Sequence, residues 1–270
     1  MSLTISASCK LCTRSCGVHY SAKGWPQMGH SIWAPSAAER NMACAGSVML
    51  SVGQPDRSSV ASAAGTVQHR IGEYGLRNDG DIDFYLGTNE FADGFEIPIT
   101  DKEIAVARLY IDYVKKRHAE LGGDLFIEQK LHAKEIHKEC YGSGDAVIVA
   151  PHTIDVIDLK TGRMAVEIED NKQLKIYALG ALEMFGTEDV ATITTTIVQP
   201  TTFHKDGAVR SVTYDTVGLV EWGFDVLRPA ILASFADDPE FSEGHWCKWC
   251  PAKSICPLKT KEVNYEVIGH

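Results

Sequence analysis

The sequence predicts an α/β protein in which helices flank a central mixed sheet. Before residue 122 the apolar residues recur with a helical period, and between residues 125 and 159 they form three short strand-like segments. A helix and a strand follow. This order lets the second and third strands form a hairpin and lets the next helix pack on the sheet. We expect one such domain over residues 31–270, preceded by an irregular N-terminal extension over residues 1–30.

Three helices are predicted before the strands, over residues 36–50, 58–76 and 100–121. In the second of them the apolar side chains are spaced by alternating steps of four and three, which is typical of a helix that buries one face. Thr100 and Glu103 form a capping box that begins the third helix, and Gly122 and Gly123 end it. The intervening segment, 78–98, is acidic and rich in glycine, so we expect a loop with a short strand.

The second half of the chain alternates strands and helices. The predicted strands cover residues 125–131, 144–150, 153–159 and 191–199, with turn residues between the first three. Asp170 and Gln173 are expected to cap a helix that runs to Phe185. A last, long helix begins near Asp215, and Pro229 either kinks or splits it.

Two carboxylates and a lysine lie at the ends of the central strands. Asp145 opens one apolar strand, while Asp158 and Lys160 close the next one. Because side chains alternate along a strand, Asp158 and Lys160 project from one face, and a hairpin would bring Asp145 beside them. Two carboxylates hold a hard cation such as Mg²⁺ or Mn²⁺, and a lysine next to it can orient a water and stabilise a phosphate. Taken alone, an Asp-x-Lys pair is more often a surface pair at a turn.

Eight cysteines are unusual for a chain of this size, and most of them are clustered. In a reducing compartment clustered cysteines are more often metal ligands than disulfides. Cys247, Cys250 and Cys256 form a C-x2-C-x5-C pattern that needs a fourth ligand, and Cys44 is the candidate. Four thiolates suit either a tetrahedral zinc ion or an iron–sulfur cluster.

A second set of ligand-type residues lies in the N-terminal extension. It consists of Cys9, Cys12, Cys16 and His19, whose order suits zinc, although no apolar pattern surrounds it. The alternative is a flexible extension with free thiols. The remaining cysteine, Cys140, is most simply a small buried hydrophobic residue.

The central motifs, taken in order, resemble a known family. Gly144-Asp145-Ala-Val-Ile, then Ile-Asp158-Leu-Lys160-Thr-Gly, then Gln173-Leu-Lys-Ile-Tyr177 is similar to the RecB-like branch of the PD-(D/E)xK nuclease superfamily. The resemblance implies a restriction-endonuclease-like core whose catalytic residues are Asp145, Asp158, Lys160, Gln173 and Tyr177. It also implies that His69 is a metal ligand with Asp145 and Asp158, and it makes Glu128 a weaker candidate. Without this order, His69 would be an ordinary helix residue and Tyr177 a core residue.

The cysteine order resembles the iron–sulfur members of the same branch, the AddB-type and CRISPR adaptation nucleases. One cysteine, Cys44, precedes the nuclease motifs and three follow them within residues 244–258. The resemblance, which is strongest to phage-encoded exonuclease-like members, implies a [4Fe–4S] cluster that joins the N- and C-terminal segments. Zinc is the alternative occupant.

The expected function is therefore Mg²⁺- or Mn²⁺-dependent DNA cleavage, with an exonuclease of phage recombination, replication or repair as the implied member. The alternatives are a catalytically inactive nuclease fold that acts as a DNA-binding or scaffold subunit, and a zinc-dependent regulatory protein. The chain has no phosphate-binding loop, so a helicase would have to be a partner, and a single-strand-binding or annealing protein is a second candidate.

Composition limits where and how the chain acts. No apolar run reaches the roughly 18 to 20 residues that a membrane span needs, so we expect a cytoplasmic protein, in the host cytoplasm if a phage encodes it. The net charge is −10, which argues against a protein that coats nucleic acid by bulk electrostatics. A nuclease needs only local positive charge beside its acidic centre.

Overall fold

The computed structural model describes residues 31–55, 58–186 and 189–259, which form a three-layer α/β arrangement. The helices are α1 (Ala38–Ala43), α2 (Gly46–Ser51), α3 (Val60–Arg77), α4 (Asp101–Leu121), α5 (Lys172–Phe185), α6 (Thr216–Trp222) and α7 (Arg228–Ser234). The strands are β1 (Asn89–Ala92), β2 (Phe95–Pro98), β3 (Asp124–His132), β4 (Tyr141–Ala150), β5 (Thr153–Leu159), β6 (Thr192–Val198) and β7 (Val209–Asp215). The predicted zinc ligands Cys9, Cys12, Cys16 and His19 lie outside the described residues.

The central sheet is mixed, as predicted, and its strand order is β3-β4-β5-β6-β7. Strands β5 and β6 are parallel, and every other neighbouring pair is antiparallel. The predicted hairpin is confirmed, because Ala150 pairs with Thr153 and Ala146 with Ile157 across β4 and β5. Helix α5 makes the crossover that a parallel pair requires. Strand β7 was not predicted, and the segment expected to hold one short strand forms the hairpin of β1 and β2.

Helices cover both faces of this sheet. Helices α5, α6 and α7 enclose one core with Val156 of β5, while α3 and α4 enclose the other with Ile157. These neighbours belong to different cores because strand side chains alternate between faces. Strand β5 has strands on both sides and helices on both faces, so residues 154–159 are all buried. The end of β5 is therefore packed between two strands and two helical layers.

The helix starts follow local capping chemistry. The Thr100–Glu103 capping box is confirmed at the start of α4. The expected cap at Asp170 is wrong, because α5 begins after Asn171, whose side chain accepts a hydrogen bond of 3.1 Å from the Leu174 N–H. Asparagine beside aspartate offers the same type of acceptor, so the sequence pattern alone identifies the cap only to within one residue.

The predicted last helix is interrupted by a π-helical turn just before Pro229, but it is not split into separate helices. It begins with the Asp215 cap, passes through a π-helical turn over Gly223–Leu227 and continues as α7. Pro229 lies just after the π-helical turn, whose wider i→i+5 bonding accommodates a residue that has no backbone N–H to donate. None of the helices in the described ranges is long and apolar enough to cross a bilayer.

The first predicted helix is interrupted at Cys44, which lies between α1 and α2 and is buried. The C-terminal segment packs against this break. The Gly46 N–H donates to the Glu240 carbonyl at 2.8 Å, and the Ser242 N–H lies 3.4 Å from the Cys44 sulfur. The C-terminal segment of the described chain therefore meets the N-terminal helices at Cys44.

The two glycines that end α4 give a test of this packing. Both have a positive φ, but a Cβ on Gly123 would lie 2.1 Å from the carbonyl oxygen of Val149, whereas a Cβ on Gly122 would meet nothing within 4 Å. We expect Gly122→Ala to cost about 1–3 kcal/mol of unfolding free energy from backbone strain alone. Gly123→Ala should cost at least about 1 kcal/mol more, because the overlap adds to the strain. Urea unfolding of both variants measures the difference, and equal losses would contradict the described contact with β4.

Candidate metal centre

Strands β4 and β5 bring the predicted acidic residues together, although Asp145 lies in the middle of β4 and not at its start, because β4 begins at Tyr141. Asp145 lies in β4, and its Oδ2 accepts a hydrogen bond of 2.7 Å from the Leu159 N–H of β5. Asp158 and Lys160 lie on either side of Leu159. Only about 12% of the Asp145 side chain and 4% of the Asp158 side chain are exposed. The two carboxylates are therefore mostly withdrawn from water, where a charged group needs a partner.

Helix α3 supplies His69 to this edge of the sheet. Its Nδ1 lies 3.2 Å from Oδ1 of Asp145. The helix comes this close because its first turns carry a glycine at the contact, where a Cβ on Gly65 would lie 2.7 Å from Oγ1 of Thr161. Thr161 directly follows Lys160, so the contact fixes α3 against the end of β5. His69 thus lies where the predicted metal ligand is needed.

Glu128 joins the centre through an unusual backbone conformation. It lies within β3, yet its φ is +52°, which a non-glycine residue rarely adopts. The β3–β4 ladder pairs Ile127 and Gln129 with β4 but skips Glu128. One ligand atom each from His69, Glu128 and Asp145 lies within 4.8 Å of the others. Strain of this kind costs about 1–3 kcal/mol and is typical of functional sites.

Asp158 belongs to a second group of hydrogen-bonded side chains. Lys160 Nζ donates to Oε1 of Gln173 at 2.7 Å and lies 2.9 Å from Oδ2 of Asp158. Gln173 Nε2 is 3.5 Å from Oδ1 of Asp158 and 3.2 Å from the Tyr177 hydroxyl. All five predicted catalytic residues except Asp145 are in this group, and Asp145 lies next to it through Leu159. Gln173 therefore orients the Lys160 ammonium through a hydrogen bond, and Tyr177 orients the Gln173 amide in the same way.

The charges of the centre shift the pKa values of its members. Burial lowers the pKa of His69, but the adjacent Asp145 carboxylate, together with Asp158 and Glu128, outweighs it and raises the pKa to about 9. Burial and then the charge of Asp145 raise the pKa of Glu128 to about 7. Burial raises the pKa of Asp158, although Lys160 opposes the shift. The centre thus crowds negative charge, and a proton on His69 partly neutralises it.

This donor set fits a divalent cation. Two carboxylates and an imidazole are ligands for Mg²⁺ or Mn²⁺, with Mn²⁺ the better match for the nitrogen. Oδ2 of Asp158 is buried and forms an ion pair of 2.9 Å with Nζ of Lys160, so this carboxylate already has a charged partner. Asp158 is not part of the group of ligand atoms that lie within 4.8 Å of one another.

Four of the described cysteines surround one cavity. Cys44, Cys247, Cys250 and Cys256 line it together with Arg40 and Lys253, and all four are free of disulfides. No three sulfurs among the described cysteines lie within 4.8 Å of one another. A tetrahedral zinc ion with bonds of about 2.3 Å would hold its sulfurs about 3.8 Å apart. Cys140 lies elsewhere and is fully buried, and burial raises the pKa of its thiol to about 12.

Sequence patterns missed several residues around the centre. Tyr110 of α4 is buried, and burial followed by the charges of Asp145, Glu128 and Asp158 raises its pKa. The fully buried Gln199, just after β6, hydrogen-bonds the loop that follows Lys160. For Gln199 the sequence offered one signal, because this glutamine directly follows a strand made entirely of β-branched residues. A buried amide at such a position is costly unless it has hydrogen-bond partners.

Comparison with known proteins gives a family. The profile of a family described as "Protein of unknown function (DUF2800)" matches residues 30–268. The chain belongs to this family. The DUF2800 match includes the candidate metal centre and every cysteine from Cys44 to Cys256. Its description names no activity, so the function must be inferred from the site.

Among solved structures, the chain is similar to one titled "Crystal structure of SSO0001". The sequence identity is 14%, the TM-score is 0.31, and the alignment covers 83% of this chain and 96% of that chain. A TM-score this low carries no argument about fold or function.

The raised pKa values predict how stability depends on pH without a metal. The folded protein keeps protons that the unfolded chain releases at the ordinary values of 4.5 for Glu128 and 6.5 for His69. The stability from these protons is present below those values and is lost as pH rises through about 7 and about 9 respectively. We therefore expect the Tm in EDTA to fall between about pH 6 and about pH 9, and Mn²⁺ to raise the Tm more at the higher pH, because it replaces the protons.

Thermal unfolding of His69→Gln, with the exposed His152→Gln as its control, assigns the effect. His69→Gln should flatten the upper part of the pH dependence, and His152→Gln should leave it unchanged. If His69→Gln keeps the wild-type slope, the described pairing of His69 with Asp145 does not govern it.

Proposed function

We propose that this protein is a Mg²⁺- or Mn²⁺-dependent nuclease that hydrolyses phosphodiester bonds in DNA. The observation that carries the proposal is the convergence of His69, Glu128 and Asp145 within 4.8 Å, beside a buried Asp158–Lys160 pair. A histidine and carboxylates suit a cation, and a lysine fixed next to them suits an anionic substrate. The hairpin of β4 and β5 that presents them agrees with a PD-(D/E)xK core, which we propose as the finer fold assignment.

Each residue then has a defined task. His69, Asp145 and Glu128 would hold the cation, with Asp158 at its edge, and when bound the cation would lower the pKa of a water and offset phosphate charge. Lys160 is held by Gln173 at 2.7 Å, so its ammonium points in one direction instead of sampling many. It can donate a hydrogen bond to a phosphate oxygen as negative charge develops there. Tyr177, through Gln173, keeps that direction fixed.

The biological setting follows from the resemblance of the motifs and is part of the same proposal. An exonuclease of phage DNA recombination, replication or repair would act in the host cytoplasm, and a helicase or a single-strand-binding or annealing protein would supply the DNA strand. An inactive nuclease fold used as a DNA-binding or scaffold subunit is the competing function. It would need neither the strained Glu128 nor the Lys160–Gln173 contact, both of which are present.

We further propose that Cys44, Cys247, Cys250 and Cys256 hold a [4Fe–4S] cluster with a structural role. Their sulfurs line one cavity but are not packed at zinc spacing, and in such a cluster each thiolate binds a different iron, which separates the sulfurs. Arg40 lines the same cavity with its Nε buried and unpaired, and a guanidinium there offsets thiolate charge. The cluster would tie α1 and α2 to the C-terminal segment.

Cleavage assays test the nuclease proposal. End-labelled linear DNA and closed circular DNA are incubated with Mg²⁺ or Mn²⁺ and with wild type, Lys160→Ala, or the exposed control Lys134→Ala. We expect degradation of linear DNA, a loss of roughly 100- to 1,000-fold in kcat for Lys160→Ala, and none for Lys134→Ala. Identical products from wild type and Lys160→Ala on both substrates would show that the site is not catalytic and would favour the scaffold function.

Metal analysis tests the cluster. We expect anaerobically purified protein to be brown, to contain about four irons per chain, and to lose its visible colour on reduction with dithionite. Cys250→Ala should lose the iron and unfold more readily, while Cys140→Ala should keep the iron. Colourless protein with one zinc per chain would overturn the cluster and leave the nuclease proposal standing.

A further inference from the structure

We propose that two loops beside Lys160 form a contact surface for single-stranded DNA, with Arg163 on a phosphate and Phe203 on a base. The loops are residues 161–166, after β5, and residues 199–207, after β6, and together they are called the rim. The inference rests on the proposed nuclease function and adds a substrate class to it.

The first loop of the rim follows Lys160 of the candidate centre directly along the chain. The Lys160 N–H donates to the Val198 carbonyl at 2.8 Å. Both loops therefore leave the sheet side by side, from the carboxyl ends of the parallel strands β5 and β6. In open α/β sheets, ligands bind outside the carboxyl ends of the strands.

A fully buried glutamine locks the two loops together. Gln199 Nε2 donates to the carbonyls of Gly162 (3.0 Å) and Met164 (2.8 Å). Its Oε1 accepts from the Val166 N–H (3.0 Å) and from Nη2 of Arg210 (2.9 Å). Two donors and two acceptor positions are the full capacity of an amide side chain, so every one of them is used. Such saturation of a buried amide fixes the loop in one conformation.

Further contacts anchor the second loop on both sides of Phe203. Thr201 Oγ1 donates to the Gly162 carbonyl at 2.8 Å, and the buried ring of His204 lies 3.3 Å from Glu167. Buried Arg210 donates to the Gly207 carbonyl at 2.7 Å. The loop that carries Phe203 is therefore a braced structure and not a loose segment.

Phe203 is nevertheless 89% exposed, more than any other large hydrophobic residue that the structure describes. Met164, on the other loop, is 61% exposed. Burial of a phenylalanine ring is favourable, so its exposure on a fixed loop has a cost that contact with a substrate would recover. Single exposed apolar residues are common, but two on interlocked loops beside a charged centre indicate a binding surface.

Arg163 gives the rim an unneutralised positive charge. Among the arginines in the described ranges, it is the one that makes no hydrogen bond, ion pair or ring contact. Three of the neighbouring acidic groups are paired: Glu167 with His204, Asp170 with Lys172 and Lys175, and Asp206 with Lys205. In a chain of net charge −10, a free guanidinium three residues after Lys160 is positioned for an anion.

Arg163 and Phe203 together favour single-stranded over double-stranded DNA. A phosphate satisfies Arg163, and an aromatic ring stacks on a base only when that base is not already stacked within a duplex. A duplex could use Arg163 but not Phe203. The rim would thus receive single-stranded DNA, or the frayed end of a linear duplex, next to the atoms proposed to cleave it.

Binding measurements test this inference with the full-length protein. Fluorescence anisotropy compares a labelled single-stranded oligonucleotide with its blunt duplex, with Ca²⁺ in place of Mg²⁺ so that binding is followed without cleavage. The variants are Arg163→Ala and Phe203→Ala. The controls are Lys134→Ala, an exposed lysine, and Phe91→Ala, whose ring is 66% exposed on the β1–β2 hairpin.

We expect Phe203→Ala to weaken single-strand binding by at least about 5-fold and to leave duplex binding nearly unchanged, because one stacked base is lost. Arg163→Ala should weaken both and reduce the slope of log K against log salt by about 0.7 on the single strand. The controls should bind like wild type. Because all four side chains are exposed, the variants should keep the wild-type Tm.

The outcomes separate the rim from the nuclease proposal. If wild type cleaves DNA and both rim variants bind like the controls, the rim is overturned and the nuclease function stands. If wild type binds single strands through Arg163 and Phe203 but cleaves nothing with Mg²⁺ or Mn²⁺, the rim is supported and catalysis is contradicted. Wild type that binds no oligonucleotide contradicts both.

Discussion

The carboxylate of Asp145 connects the parts of the molecule on which the proposed chemistry depends. One oxygen accepts the Leu159 N–H at 2.7 Å, and the other lies 3.2 Å from His69. One side chain thus joins the β4–β5 hairpin to α3, which comes from a much earlier part of the sequence. Without it, His69 of α3 would lose its contact with β4, and β4 and β5 would lose a hydrogen bond between them. Because Asp145 is only 12% exposed, these partners also compensate for the cost of burying its charge.

The rest of the centre is arranged around this contact. Glu128 adopts a strained backbone, which places its carboxylate with His69 and Asp145. Lys160, Gln173 and Tyr177 form a chain of hydrogen bonds from α5 that orients the one ammonium in the group. Burial and the charge of Asp145 raise the pKa of Glu128, and attraction to the same carboxylate, against the lowering effect of burial, raises the pKa of His69, so the centre retains protons that offset its negative charge. A divalent cation would offset this charge instead, which is why metal affinity, pH dependence and stability are linked in this account.

Much of the fold was predictable because it depends on short-range patterns. Apolar periodicity located α3, α4 and the strands β3 to β6, and the Thr100–Glu103 box located the start of α4. Strand β7 was missed because it is a half-exposed edge strand in which polar and apolar residues mix. The order of the motifs indicated which residues would meet at the site. It gave no sign of the positive φ of Glu128, nor of the Gln199 bonds that span more than thirty residues along the chain. Such features arise only when distant segments have packed.

The most direct test of the central claim is an anomalous diffraction experiment on crystals of the protein soaked in Mn²⁺. The account predicts a manganese peak between His69, Glu128 and Asp145, within bonding distance of at least two of them, that is absent in Asp145→Asn. A manganese peak that lies elsewhere, or none at all when these side chains are ordered, would contradict the metal centre and with it the proposed hydrolysis.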